Sequence, residues 1–175
     1  MTAAKVLRPF GSLLLSATAL LAPPLVGSVA AQGRPGPGLE FSAGWVGFAD
    51  DGVVSEAMVG GAARWYLTPR LGVGPEFLYI NGSNHSHLVL TGNVTFDILP
   101  ETESRVIPFV VAGAGMFQTR ETFLNGDFNT TEGAFTAGGG VRALVSDRVT
   151  VGIDARIGWE LHVRVNGFVG VRFGR

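Results

Sequence analysis

Apolar residues recur at every second position over most of the chain beyond about residue 39. Leu88, Leu90, Val94 and Phe96, for example, alternate with residues that are mostly polar or small. Successive side chains of a β-strand point to opposite faces, so this period indicates strands with one apolar and one polar face. No later stretch shows a sustained helical period with caps, which predicts an all-β chain.

Eight segments of about ten residues carry the alternation. They are residues 39–49, 57–67, 71–80, 88–98, 107–118, 134–145, 149–160 and 163–173. This number and length predict an eight-stranded antiparallel up-and-down transmembrane β-barrel. The faces of segment 107–118 are left unassigned, because both alternate sets of positions contain apolar residues.

The connections between the segments alternate in character. Residues 68–70, 99–106 and 146–148 are mostly tight turns, whereas the other connections are longer or more polar, at 50–56, 81–87, 119–131 and 160–162. Bacterial barrels keep their short turns on the periplasmic side. We therefore expect both chain ends in the periplasm and the longer loops at the cell surface.

The charged strand residues all fall on the face opposite to the apolar one. They are Glu40, Glu76, Asp97, Asp154 and Glu160, with Arg64, Arg142, Arg156, Arg164 and Arg172. Such a segregation would arise by chance about once in a thousand trials, because side chains alternate. The apolar face carries Trp45, Trp65 and Trp159 near strand ends, as membrane-interface girdles do.

An eight-stranded barrel has an interior only wide enough for side chains to fill. The sequence thus predicts a lumen charge network that plugs the barrel. Its members are Glu40, Arg64, Glu76, Asp97, Arg142, Asp154, Arg156, Arg164 and Arg172. Within it, Arg142, Arg156 and Arg164 are expected to pair with the acids. The alternative is a soluble periplasmic or secreted β-barrel with an apolar lumen that binds an apolar ligand.

The first 31 residues resemble a signal peptide. Lys5 and Arg8 precede an apolar run over residues 13–22, and the small residues 28–31 suit a signal peptidase. The apolar run is too short for a membrane-spanning helix. We expect Sec-type export with cleavage after Ala31, a short flexible leader at residues 32–38 and a barrel over 39–175.

Composition excludes several classes of function. The chain has no cysteine, so disulfides and thiolate metal sites are impossible. Its formal net charge of −1 and scattered arginines give no reason to expect nucleic acid as a partner. The 26 glycines lack a collagen-like period and suit crowded, twisted strands.

From about Leu39 to Phe173 the chain resembles the outer-membrane β-barrel superfamily that includes the OmpA and OmpX barrels. The resemblance rests on residues 107–115, on the stretch 138–142 and on Ser146-Asp147-Arg148 before a final alternating hairpin. It implies a monomer in the outer membrane of a Gram-negative cell envelope. The implied partners are outer-membrane lipid, lipopolysaccharide and, during biogenesis, the barrel assembly machinery.

A weaker similarity, over residues 105–173, is to the lipid A deacylase barrels. Those enzymes carry a His-x-Ser-Asn motif on a late strand, where the histidine activates the serine. Here residues 156–166 contain His162 but no serine. We therefore expect no enzyme activity and no catalytic residue, with a lipid A-modifying hydrolase as an alternative.

Two polar segments offer other chemistry. In the loop 119–131, Phe123, Leu124 and Phe128 are candidates for surface recognition. His85 and His87, with Asp50 or Asp51 from a neighbouring loop, have the residue types of a metal site or a base. Without a fixed third ligand, they are interpreted as a polar loop, and no metal or cofactor is expected. The sequence thus favours a structural, adhesive or surface-binding barrel.

Overall fold

The computed structural model describes residues 34–50, 52–82, 85–101, 103–123 and 126–174, without the side chains of 50, 52–54, 121–123, 126–128 and 160. Eight strands follow one another: β1 Gly38–Asp50, β2 Gly52–Tyr66, β3 Leu71–Asn81, β4 His85–Asp97, β5 Val106–Phe123, β6 Gly126–Leu144, β7 Val149–Gly158 and β8 His162–Arg172. A short 3-10 turn, Trp159–Leu161, joins β7 to β8.

Each strand pairs antiparallel with the next, and β8 pairs with β1 to close the barrel. The predicted fold, an eight-stranded up-and-down barrel, is confirmed. Within the described ranges, no helix combines the length and the apolar character needed to cross a membrane. Residues 34–37 have no regular secondary structure, and the Pro37 carbonyl accepts a hydrogen bond from the backbone N–H of Phe173.

Three of the predicted long loops are wrong because the strands run further than the alternation does. The segment predicted as a loop over 119–131 belongs mostly to β5 and β6, which pair as far as Phe123 and Gly126. His85 already begins β4, and β2 begins at Gly52. Beyond the membrane both faces of a hairpin can contact water, so neither face needs to be apolar and the alternation of apolar residues stops. The hydrogen bonds between the two strands nevertheless continue.

The apolar side chains of the strands point outward. Phe41, Trp65, Ile153 and Val169 are each about half exposed or more, and similar residues occur on every strand. Buried charged side chains, among them Glu76, Asp97, Arg142 and Arg164, point into the lumen. On β5, whose faces the sequence left open, the inward side chains are Ile107, Phe109, Val111 and Phe117. An outward apolar belt around a polar interior is the arrangement of a membrane barrel, not of a soluble one.

Glycines let neighbouring strands approach closely at the β6–β7 seam. A Cβ at Gly140 would lie 2.2 Å from the Ile153 carbonyl oxygen, and one at Gly138 would lie 2.2 Å from that of Ala155. Real Cβ atoms do not approach so closely, so a larger residue would push the strands apart. The Gly-rich stretch of β6 is therefore a packing requirement, as expected for strand glycines.

The two ends of the barrel differ. We call the end with the 67–70, 98–105 and 145–148 connections the turn end, and the end with the β1–β2, β3–β4, β5–β6 and β7–β8 connections the hairpin end. The turn end also holds residue 38 at the start of β1 and residue 172 at the end of β8.

Candidate functional site in the lumen

Three ion pairs fill the turn end of the lumen. Arg64 Nη2 donates a hydrogen bond to Glu40 Oε2 over 2.8 Å. Arg142 pairs with Asp97, and both side chains are almost fully buried. The third pair joins Arg172 to an acid outside the strands, Glu101, which lies in the 98–105 connection. Sequence reasoning missed Glu101, because parity identifies the face of a strand residue but says nothing about a turn.

The middle of the lumen is organised around one carboxylate. Glu76 Oε2 accepts hydrogen bonds from Arg156 Nη1 at 3.1 Å, from Arg164 Nη2 at 2.8 Å and from Asn93 Nδ2 at 3.0 Å. Arg156 also donates to both oxygens of Asp154, at 3.2 and 3.0 Å. All four charged side chains are about 95% buried or more, so each charge depends on its neighbours for solvation.

The structure thus places the nine sequence-predicted lumen residues in two groups. One lies at the turn end and contains Glu40, Arg64, Asp97, Arg142 and Arg172, and the other lies in the middle and contains Glu76, Asp154, Arg156 and Arg164. The side chain of Glu160, assigned by parity to the same face, lies outside the described residues.

The hairpin end of the lumen is apolar. A buried cluster there contains Val46, Phe48, Met58, Leu78, Ile80, Val89, Phe117 and Ala134. A second buried group near the turn end contains Phe109, Val111 and Phe168. The lumen is therefore plugged by charged and apolar layers together. A cavity at the turn end, beside Arg64, Tyr66 and Arg142, holds about 10 Å³, which is room for about one water.

Above the apolar cluster, three polar side chains from two strands converge at the lumen mouth. Glu56 Oε1 lies 2.6 Å from His85 Nε2, and Glu56 Oε2 lies 3.9 Å from His87 Nε2. His87 Nδ1 is 3.0 Å from Thr119 Oγ1. We call Glu56, His85 and His87 the mouth cluster. The sequence placed both histidines in a loop beside Asp50 or Asp51; the side chains of those two aspartates lie outside the described residues, and the acid that reaches the histidines is Glu56.

Two of the three surface candidates of the sequence lie within the last pairs of the β5–β6 hairpin. Phe123 and Phe128 have described backbones at the ends of β5 and β6, but their side chains, and all of Leu124, lie outside the described residues.

A family model for the outer membrane protein β-barrel domain matches residues 12–173. No curated protein sequence matches the chain.

Solved structures show the same fold. Neisserial surface protein A superposes with a TM-score of 0.69 at 14% identity, covering 78% of this chain and 97% of its own. The N-terminal barrel of OprF from Pseudomonas aeruginosa gives 0.61 at 14% identity, with coverages of 81% and 100%. Ail, the attachment invasion locus protein of Yersinia pestis, gives 0.56 at 15% identity, with coverages of 80% and 99%. At these identities the likeness concerns the fold.

Proposed function

We propose that this chain, which belongs to the outer membrane protein β-barrel family, is a surface-binding protein. In this role, the plugged barrel is a rigid support that presents the β5–β6 hairpin to a protein partner. The observation that carries this proposal is the one-sided extension of β6. Ligand-binding segments are commonly loops and hairpins held by a rigid scaffold.

The pairing register defines the extension. β6 pairs with β7 only from Thr136 onward, whereas it pairs with β5 from Gly126. Residues 126–135, which we call the β6 edge, therefore lie beyond their neighbour β7 and span about 30 Å at the usual rise per residue. Trp159 contacts the part of this edge nearest to β7, where its Nε1–H donates a hydrogen bond to Glu132 Oε2 over 3.0 Å.

An uncovered strand edge presents backbone N–H and C=O groups that an extended peptide can pair with. Asn129, Thr130 and Thr131 on this edge are exposed. The hairpin carries one arginine, Arg120, and three acids, Glu121, Asp127 and Glu132, so its charge does not favour a polyanion. This chemistry favours a protein partner, with Phe123, Leu124 and Phe128, the candidates from the sequence, as its apolar contacts.

A shortened hairpin tests the proposal. Arg120 and Asn129 are partners in the register, so replacing residues 120–129 with Asn-Gly joins Thr119 to its partner Thr130 through a favoured two-residue turn. Wild-type protein displayed in the outer membrane of a non-adherent bacterial host should increase the adherence of those cells to immobilised extracellular-matrix protein. The shortened variant should not. A Phe123→Ser, Leu124→Ser and Phe128→Ser triple variant tests these apolar contacts alone. Equal adherence of the wild type and the shortened variant, both folded, would contradict the proposal.

We also propose that the barrel is not a lipid A hydrolase. Ser86 lies between His85 and His87 on a strand, so its side chain points to the opposite face. His162 Nδ1 contacts the Trp159 backbone carbonyl instead of a serine. Thr119 does contact His87, yet Glu56 is 3.9 Å from the other ring nitrogen, too far for the hydrogen bond that would orient a base.

Purified barrel incubated with lipopolysaccharide should release no fatty acid. Release that disappears with Thr119→Val or Ser86→Ala would show that the barrel is a hydrolase.

A further inference from the structure

We propose that the mouth cluster, Glu56, His85 and His87, is a binding site for one divalent transition metal ion of the zinc class. Two imidazoles and one carboxylate are a common ligand set for zinc, with a fourth position left for water. The site would act independently of the hairpin contact described above.

The first support is the way in which the fold assembles the ligands. His85 and His87 are two residues apart on β4, so both point inward. Glu56 comes from β2, on the other side of β3, and reaches them across the β3–β4 connection. The ligand atoms of the three side chains all lie within 4.8 Å of one another. Zinc bound tetrahedrally holds its ligand atoms about 3.3 Å apart, and the 2.6 and 3.9 Å separations lie on either side of that value.

The second support is a buried carboxylate without hydrogen bonds. The Glu56 side chain is only 3% exposed. Neither of its oxygens has a hydrogen-bond partner among the described residues, although His85 Nε2 lies 2.6 Å from Oε1. A buried carboxylate in this position costs several kcal/mol unless a cation compensates it. No arginine contacts Glu56 in the described part of the chain, and the basic groups beside it are the two imidazoles. When these are neutral, a metal ion coordinated by both histidines would supply the missing charge.

The third support is the glycine beneath the site. Gly82 donates its backbone N–H to the His85 carbonyl over 3.0 Å. A Cβ at this position would lie 2.3 Å from Glu56 Oε1 and 2.7 Å from His85 Nε2. A side chain at Gly82 would displace the carboxylate or the imidazole from this arrangement, so the glycine leaves room for both groups above the backbone.

The surroundings orient the ligands for metal binding. When His87 Nδ1–H donates to Thr119 Oγ1, Nε2 keeps its lone pair and faces Glu56. The rings of Phe48 and Phe117 lie 5.2 and 4.9 Å from the His87 ring and close the site toward the lumen. His85 is about one-third exposed, so the open position faces the solvent at the lumen mouth. Imidazole ligands favour zinc and its neighbours over calcium and magnesium, which prefer oxygen ligands alone.

The test uses the untagged full-length chain, exported and purified in detergent, then stripped with a chelator. Titration calorimetry with zinc chloride should give one site per barrel, and cobalt(II) should give the visible absorption of a nitrogen- and oxygen-ligated tetrahedral site. His85→Ala and Glu56→Gln should each weaken zinc binding by more than tenfold. Thr119→Val, which removes only the orienting hydroxyl, should weaken it by about 10–100-fold.

His162→Gln is the matched control. His162 is a buried histidine at the same end of the lumen, but it is not part of the mouth cluster. This variant should bind zinc as the wild type does, and a heat-dependent gel shift should show that every variant is folded. The proposal is overturned if folded wild-type protein binds no stoichiometric zinc, or if the Glu56→Gln and His85→Ala double variant binds it as tightly as the wild type.

Discussion

Arg142 on β6 and Asp97 at the end of β4 form an ion pair whose side chains are 1% and 0% exposed. The guanidinium also lies over the rings of Tyr66 and Phe109, with 5.5 and 5.4 Å to the ring centroids. Because water does not reach the pair, each charge is stabilised by its partner and not by hydration. It joins β4 and β6, which are not neighbours in the barrel wall, through the lumen.

The first prediction follows from this pair. Arg142→Met should lower the free energy of unfolding by about 3–5 kcal/mol, because it leaves the Asp97 carboxylate buried without its cation. Urea unfolding in lipid vesicles measures the change. Arg120→Met, which changes an exposed arginine on the hairpin, should cost less than about 1 kcal/mol. Adding Asp97→Leu to Arg142→Met should restore part of the loss. Wild-type stability in the single variant would mean that the pair contributes nothing to the fold.

The second prediction compares the loss of stability caused by two substitutions in the middle of the lumen. Glu76→Gln should destabilise by about 3–5 kcal/mol, because Arg164 then has no carboxylate partner among the described residues. Asp154→Asn should cost less, since Arg156 keeps its contact with Glu76. The same unfolding assay ranks the two. The reverse order would show that Asp154, not Glu76, organises the network.

The third prediction is that the barrel does not conduct. Charged layers and the apolar cluster at the hairpin end fill the described lumen, and an eight-stranded interior leaves no room for an aqueous channel once its side chains pack. Purified protein in planar bilayers should give no steady single-channel current under conditions in which a general porin does. Large, stable currents would require a lumen that opens.

The fourth prediction concerns export. The small residues before position 32 predict a mature chain that begins at Gln32. Intact mass spectrometry of protein from the outer-membrane fraction should give the mass of residues 32–175. Protein that retains residues 1–31 would contradict the signal-peptide interpretation, and a monomer that stays soluble without detergent would contradict the membrane interpretation.

Much of the architecture was predictable because strand geometry is local. A period of two assigns a face to each side chain, and eight such segments of membrane-spanning length leave a closed barrel as the simplest way to pair every edge. The outward position of Phe41 and the inward position of Arg164 both follow from neighbours within a few residues. The same logic failed at the hairpin end, where water on both faces removes the apolar period although the ladder continues.

The sequence by itself thus determined the eight alternating segments, the faces of all of them except 107–118, and the closed barrel that the comparisons support. Only the tertiary structure decided which groups meet. Glu76 and Arg164 are 88 positions apart, and Glu56 and His85 meet although they lie on strands, β2 and β4, that are not neighbours in the barrel. Parity fixes the direction of a side chain, but its height in the barrel depends on the hydrogen-bond register of every seam, which no short stretch of sequence specifies. For the same reason the β6 edge, which extends beyond β7, can be recognised only when the pairing of these two strands is known.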